Sequence, residues 1–283
     1  MKKNIVKAIP FVMVMAMCMT TTSCSNDDEI VTPPSPKQKL EIEIVNDNLR
    51  LLNAQYSQSP TRLPKWLRWL LVGAADVGGL IMGDVGGAAS LSTVVWTVTG
   101  KEKNETNSSQ IQTGTNLKVP DAFKDNQIIA NGIPGQLHNN IIIEATNNDP
   151  NLLCKPTHEI VNSILNEATL KTGVVYTVAD KDRIYTMATQ SAALFDSNLT
   201  VTDYMNRLKT LTTNKTEQEA MDACAIVLEG LQYVDDTDTT YITQATDIVN
   251  ASSLPSEQKD MILKGISVAD GSAKLWNTDI FFK

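Results

Sequence analysis

The sequence predicts an all-α fold, a helical bundle of short helices plus a glycine-zipper-like helix or hairpin. Three observations predict it. Apolar residues recur at three- and four-residue spacing through most of the chain after residue 37. Residues that start and stop helices, among them Pro134, Thr157, Gly173, Thr200 and Pro255, bracket those periods. One glycine-rich apolar stretch, residues 65–99, carries its small residues at intervals of four. With 283 residues, of which 42% are hydrophobic, the chain can bury a real core.

Residues 1–23 read as a lipoprotein signal peptide. Lys2, Lys3 and Lys7 form a positive region, and Ala8 to Met19 is an apolar run too short to span a bilayer. Small residues then precede a cysteine, Thr21-Thr22-Ser23-Cys24, as a lipoprotein signal peptidase requires; the usual leucine three positions before the cysteine is missing. Cys18 fits less well because the bulky Met17 stands before it. Cys24 is therefore the expected lipidation site, and its covalent lipid is the only non-protein group expected. Each buried methylene contributes about 0.8 kcal/mol, so two or three acyl chains anchor stably.

Residues 24–36 read as an acidic and proline-rich tether. Ser25, Asn26, Asp27, Asp28 and Glu29 resemble the export signal that sends Bacteroidetes lipoproteins to the outer face of the outer membrane. Ile30 to Pro36 is a proline-rich spacer. Removal of the first 23 residues takes away three lysines and no acid, so the net charge of −8 becomes −11. A chain this acidic repels phosphate backbones, which argues against a nucleic-acid partner.

Residues 37–100 hold an N-terminal helix, with Leu40, Ile44, Val45, Leu49 and Leu52 at helical spacing, and then the glycine-rich segment. There Ala75, Gly79, Gly83 and Gly87 fall four apart. Each glycine in an exposed helix costs about 1 kcal/mol relative to alanine, so six glycines in this window need an offsetting gain. A stripe of small residues supplies it by letting another helix approach backbone to backbone. The stripe serves either helix packing inside a domain or insertion into a bilayer; Asp76 and Asp84 weigh against a stable span, at about 3 kcal/mol each at the bilayer centre.

Residues 101–116 are polar and turn-rich and read as a flexible loop. Residues 117–283 are expected to form a helical domain of seven helices. Pro134 opens the first, through Leu137, Ile141 and Ile142; Thr157 opens the second, stopped by Gly173; Ile184, Met187 and Ala188 mark the third; Thr200 caps the fourth. A capping box of Thr216 and Glu219 starts the fifth, Tyr241, Ala245 and Val249 mark the sixth, and the last runs from near Ser256 toward Trp276.

Candidate chemistry is sparse. His138 and His158 lack neighbouring ligands at helical spacing, so no metal is expected. There is no G-x-S-x-G elbow, phosphate loop or dinucleotide fingerprint, and no catalytic residue is assigned. A Cys154 pair with His138 or His158 is the only nucleophilic arrangement to draw, and His138 and Asn139, at a helix start, fit a local structural role better. Cys154 and Cys224 suit either one disulfide or two buried thiols.

Several short motifs run in order along the chain: the lipoprotein start, Ala75-Asp76-Val77-Gly78-Gly79 after a tryptophan-rich approach, Leu137-His138-Asn139 at a helix start, and Ser267-Val268-Ala269 followed by Ser272 and Trp276. In these the chain resembles a group of Bacteroidetes surface lipoproteins with a glycine-rich helical segment and a helical C-terminal domain. The resemblance implies location and architecture and no activity. The expectation is a non-enzymatic, lipid-anchored outer-membrane protein facing the cell exterior, whose helical domain binds an envelope protein or an external ligand. Its rivals are a membrane-active, toxin- or pore-like protein using residues 66–98, and a hydrolase with a cryptic Cys/His site.

Overall fold

The computed structural model describes residues 40–57, 65–102, 134–234 and 239–276. Among them it is all-helical: α1 Glu41–Tyr56, α2 Lys65–Met82, α3 Val85–Glu102, α4 Pro134–Asn148, α5 Thr157–Thr172, α6 Val178–Leu194, α7 Val201–Leu208, α8 Lys215–Leu231, α9 Thr240–Ala251 and α10 Ser256–Trp276. Short 3₁₀ turns at Leu152–Cys154 and Lys209–Leu211 join α4 to α5 and α7 to α8.

Most helix ends follow the local chemistry. Gly173 adopts φ 74°, the left-handed conformation that stops α5 at little steric cost. Thr177 and Thr200 accept the backbone N–H of Asp180 and Asp203, capping α6 and α7. The expected capping box of Thr216 and Glu219 does not form. The cap lies two residues earlier, where Asn214 accepts from the N–H groups of Thr216 and Glu217. Glu219 is thereby free to accept from Gln258 at 2.9 Å and pair with Lys215 at 3.3 Å. In α1 the buried stripe is Ile42, Val45, Leu49 and Leu52, while Leu40 and Ile44 of the expected face stand in solvent.

The glycine-rich segment is a hairpin, not one continuous stripe. Gly83 and Asp84 break the helix, and α2 folds back on α3. Residues 69–96 are buried except Leu80, Gly83 and Asp84 at the turn. A helix apolar on all sides has to be surrounded, and this hairpin is: α2 packs on α7, α8 and α10, and α3 on α4, α5 and α6. Three indoles close one end of the core, Trp69 on Trp96 at 5.5 Å and Trp96 on Trp276 at 4.9 Å, both stacked at 22°.

The hairpin and the helices that follow residue 133 share one core, because α4, α5, α6, α7, α8 and α10 cover the hairpin's apolar surface. Lys101 and Glu102 belong to α3; the rest of the expected loop, like the signal, the tether and residues 117–133, lies outside the described residues.

The glycines fall into two classes. A Cβ on Gly79 would sit 2.7 Å from the Gly87 carbonyl oxygen and 2.8 Å from the Ala88 Cα, so both contacts are with backbone. A Cβ on Gly78 would meet side chains alone, the end of Leu208 at 3.2 Å and of Met82 at 3.8 Å. Gly79→Ala should therefore destabilise the fold by about 1–3 kcal/mol, because overpacking outweighs the helix-propensity gain of about 1 kcal/mol. Gly78→Ala should stay within about 1 kcal/mol of wild type. Urea unfolding midpoints check the order, and equal midpoints for the two variants would contradict the close hairpin packing.

Candidate functional site

Asp76 sits in the middle of α2, a carboxylate within an otherwise apolar buried helix, and it is fully buried. Withdrawing a charge from water costs several kcal/mol unless partners replace the solvent. Three donors do so. His138 Nε2 lies 2.5 Å from Oδ1, the Ser272 hydroxyl donates to Oδ2 at 2.5 Å, and the Trp276 indole N–H donates to the same oxygen at 3.1 Å. They come from α4 and α10, so one side chain of α2 ties three helices together.

The far side of the imidazole fixes its charge. Asn139 donates its amide to the Gly271 carbonyl at 2.8 Å, which turns its oxygen toward His138 Nδ1 at 2.8 Å. Both ring nitrogens thus face acceptors, and only the imidazolium can donate at both. Burial by itself would lower the His138 pKa, but the charge and hydrogen bond of Asp76, helped by Asn139, raise it above the ordinary histidine value. Asp76 and His138 form a buried ion pair with every polar atom satisfied.

Missing side chains set this geometry. A Cβ on Gly135 would lie 2.0 Å from the Ser267 carbonyl oxygen, and one on Gly271 2.6 Å from the Gly135 carbonyl oxygen. The first turn of α4 therefore rests directly on α10, locked by a hydrogen bond from the Gly135 N–H to the Ser267 hydroxyl at 3.1 Å. His138, three residues on, is carried to Asp76. Gly73, one turn before Asp76, leaves the space Ser272 fills; a Cβ there would come within 3.2 Å of the Ser272 hydroxyl.

A serine, an aspartate and a histidine in contact invite comparison with a hydrolytic triad, but the connectivity differs. In a triad the histidine stands between nucleophile and carboxylate. Here the carboxylate stands between serine and histidine, and the Ser272 hydroxyl faces Asp76 rather than an imidazole. All four polar side chains and Trp276 have no solvent exposure. The arrangement can hold a charge and position helices; it has no face to present to a substrate.

The expected site residues are scattered. Cys24 and Ser25, Asn26, Asp27, Asp28 and Glu29 lie outside the described residues. Of the stripe, Gly79 and Gly87 meet across the hairpin, Ala75 is buried further along α2, and Gly83 lies at the turn. Cys154 is exposed and Cys224 buried, both as free thiols, and burial pushes the Cys224 thiol up to about 12. His158 is exposed, 3.9 Å from Glu159, and His138 has both nitrogens occupied. Among the described residues no three His, Cys, Asp or Glu side chains group as metal ligands would.

Asp76, His138, Asn139, Ser272 and Trp276 all stand in the short motifs of the sequence, yet periodicity shows them only as unrelated helix positions up to 200 residues apart. The signal that could have found the site was the lone carboxylate of an apolar helix, which demands a partner, together with a buried-face histidine.

Two predictions follow from the ion pair. Asp76→Ala leaves an imidazolium, a hydroxyl and an indole N–H without their acceptor, and should lower stability by about 3–5 kcal/mol, read as a fall in urea midpoint. Because folding raises the His138 pKa, its contribution is fully present below the unfolded value of about 6.5 and is lost as pH rises through the folded value. The loss of stability as pH rises above about 6.5 should therefore be smaller in His138→Gln than in wild type; identical pH profiles would contradict the charged imidazole. Comparison with known protein families, curated proteins and solved structures finds no match to this chain.

Proposed function

We propose that this chain is a lipoprotein held in the outer membrane by acyl chains on Cys24, facing the cell exterior, whose helical bundle is a non-enzymatic interaction module. The observation that carries this reading is the succession of residue types at the N-terminus: a basic start, a short apolar run, small residues before Cys24, then an acidic cluster. The resemblance to Bacteroidetes surface lipoproteins supports the same address. Fifteen residues lie between Cys24 and Leu40, the N-cap of α1, enough chain for a reach of up to about 50 Å.

The bundle supports a binding role more than a catalytic one. The cluster of Ser272, His138 and Asp76 is sealed and cross-braces the core. Part of its surface is apolar without being core: Leu170, Val174, Val175 and Val178, gathered at the corner between α5 and α6, are all exposed. Such concentrated exposed aliphatics mark interaction surfaces. A partner would be an envelope protein or an external ligand.

The rival reading, bilayer insertion of residues 66–98, draws on the hairpin's apolar character. Weighing against it, Asp76 is paired at mid-hairpin, and among the described residues no helix is long and apolar enough to cross a membrane. Wild-type protein should release no dye from liposomes; leakage suppressed by Gly83→Leu would favour insertion.

Mass spectrometry of the mature N-terminus should find a di- or triacylated Cys24. An unmodified residue there, or an intact Met1, refutes the anchor. Proteinase applied to intact cells should remove the domain, and its survival would contradict display on the outer face.

A further inference from the structure

The turn of the central hairpin is where its backbone and side chains reach the surface: Leu80, Gly83 and Asp84 are partly exposed between buried neighbours. A cavity of about 420 Å³ opens beside it, between the turn, the start of α4 and the first turns of α10. That volume falls within the range of about 300–1,000 Å³ that small-molecule sites occupy. The floor is apolar. Leu80, Leu137 and Met261 pack on the core yet remain only partly buried, so each keeps surface that a ligand would desolvate.

The rim carries unbalanced charge. Asp84, Glu257, Asp260 and Lys264 line it. Lys264 is spent on Asp260, at 2.6 Å. Glu257 is exposed in the first turn of α10, and no ion pair or hydrogen bond engages it among the described residues. Asp84 is held only by neutral donors, the Gly87 N–H and the Tyr176 hydroxyl, both at 2.9 Å, which fix its position without cancelling its charge. Two negative charges are left over an apolar floor.

The groove is also preformed. Asp84 caps α3 from the turn, and Arg183 of α6 donates to the Met82 carbonyl at 2.9 Å, closing the end of α2. Rigid walls with one adaptable methionine suit a ligand of defined charge and variable apolar shape. We propose that this groove binds a cationic, partly apolar segment of a partner protein, seating an aliphatic or aromatic side chain on Leu80, Leu137 and Met261 and a lysine or arginine against Glu257 and Asp84. Charge complementarity selects this occupant: an acidic peptide or phosphate would meet two uncompensated carboxylates. The proposal rests on the reading of the bundle as an interaction module and names where that module works.

Methyl-labelled methionine in the membrane-purified chain, held in phosphatidylcholine nanodiscs, provides the test, with the Met261 signal assigned through Met261→Leu. The probes are two capped tetrapeptides, Lys-Leu-Phe-Lys and Glu-Leu-Phe-Glu. The cationic peptide should shift the Met261 methyl saturably and the acidic one at least about tenfold more weakly. Glu257→Lys should weaken the cationic peptide by about five- to tenfold, while Glu159→Lys, outside the groove, should leave it unchanged. Equal response to both peptides, no response of Met261, or indifference to Glu257→Lys would each overturn the assignment. Saturable shifts confined to other methionines would overturn the groove while leaving the interaction module standing, and the mass of the N-terminus tests the lipid anchor independently.

Discussion

The structure depends on one buried carboxylate. Asp76 interrupts an apolar helix that is surrounded on all sides, so its charge has to be met within the core. It is met by His138 from one helix and by Ser272 and Trp276 from another. Packing of α2, α4 and α10 is thereby tied to a single geometry. Apolar surfaces alone tolerate sliding, since burial is roughly proportional to area and has no direction. A hydrogen-bonded ion pair has direction, and here it sets the register of three helices.

The glycines serve that register. At Gly79 with Gly87, and at Gly135 with Gly271, backbone lies against backbone where any Cβ would collide. The hairpin can then be slim enough for six helices to reach it, and α4 can lie close enough to α10 for His138 to reach Asp76. At Gly79, Gly87, Gly135 and Gly271 the loss of helix propensity is offset by this closeness. The stacked tryptophans bring α10 back onto both arms of the hairpin, at the same Trp276 whose N–H serves Asp76.

Function belongs to the outside of such a core. The polar residues that look most chemical are committed to holding helices, and what faces solvent is a rim of carboxylates around an apolar groove and an aliphatic corner between α5 and α6. In the function proposed above, the rigid interior holds the surface of a binding module, and the chain's strong negative charge selects cationic partners over nucleic acid.

Helical periodicity, proline and glycine punctuation and the capping threonines determined the all-α class, the start of α4 at Pro134, the stop of α5 at Gly173 and the start of α10 at Ser256, because these signals act within a few residues. The cap was misplaced by two residues, since Asn214 takes the N–H groups of Thr216 and Glu217 and only the folded turn decides which side chain caps the helix. What tertiary structure alone decided was non-local. The hairpin's arms cross where Gly79 meets Gly87, and its apolar faces are covered by helices from the far half of the chain. Asp76 and Trp276 stand 200 positions apart, and no local period can announce that they touch.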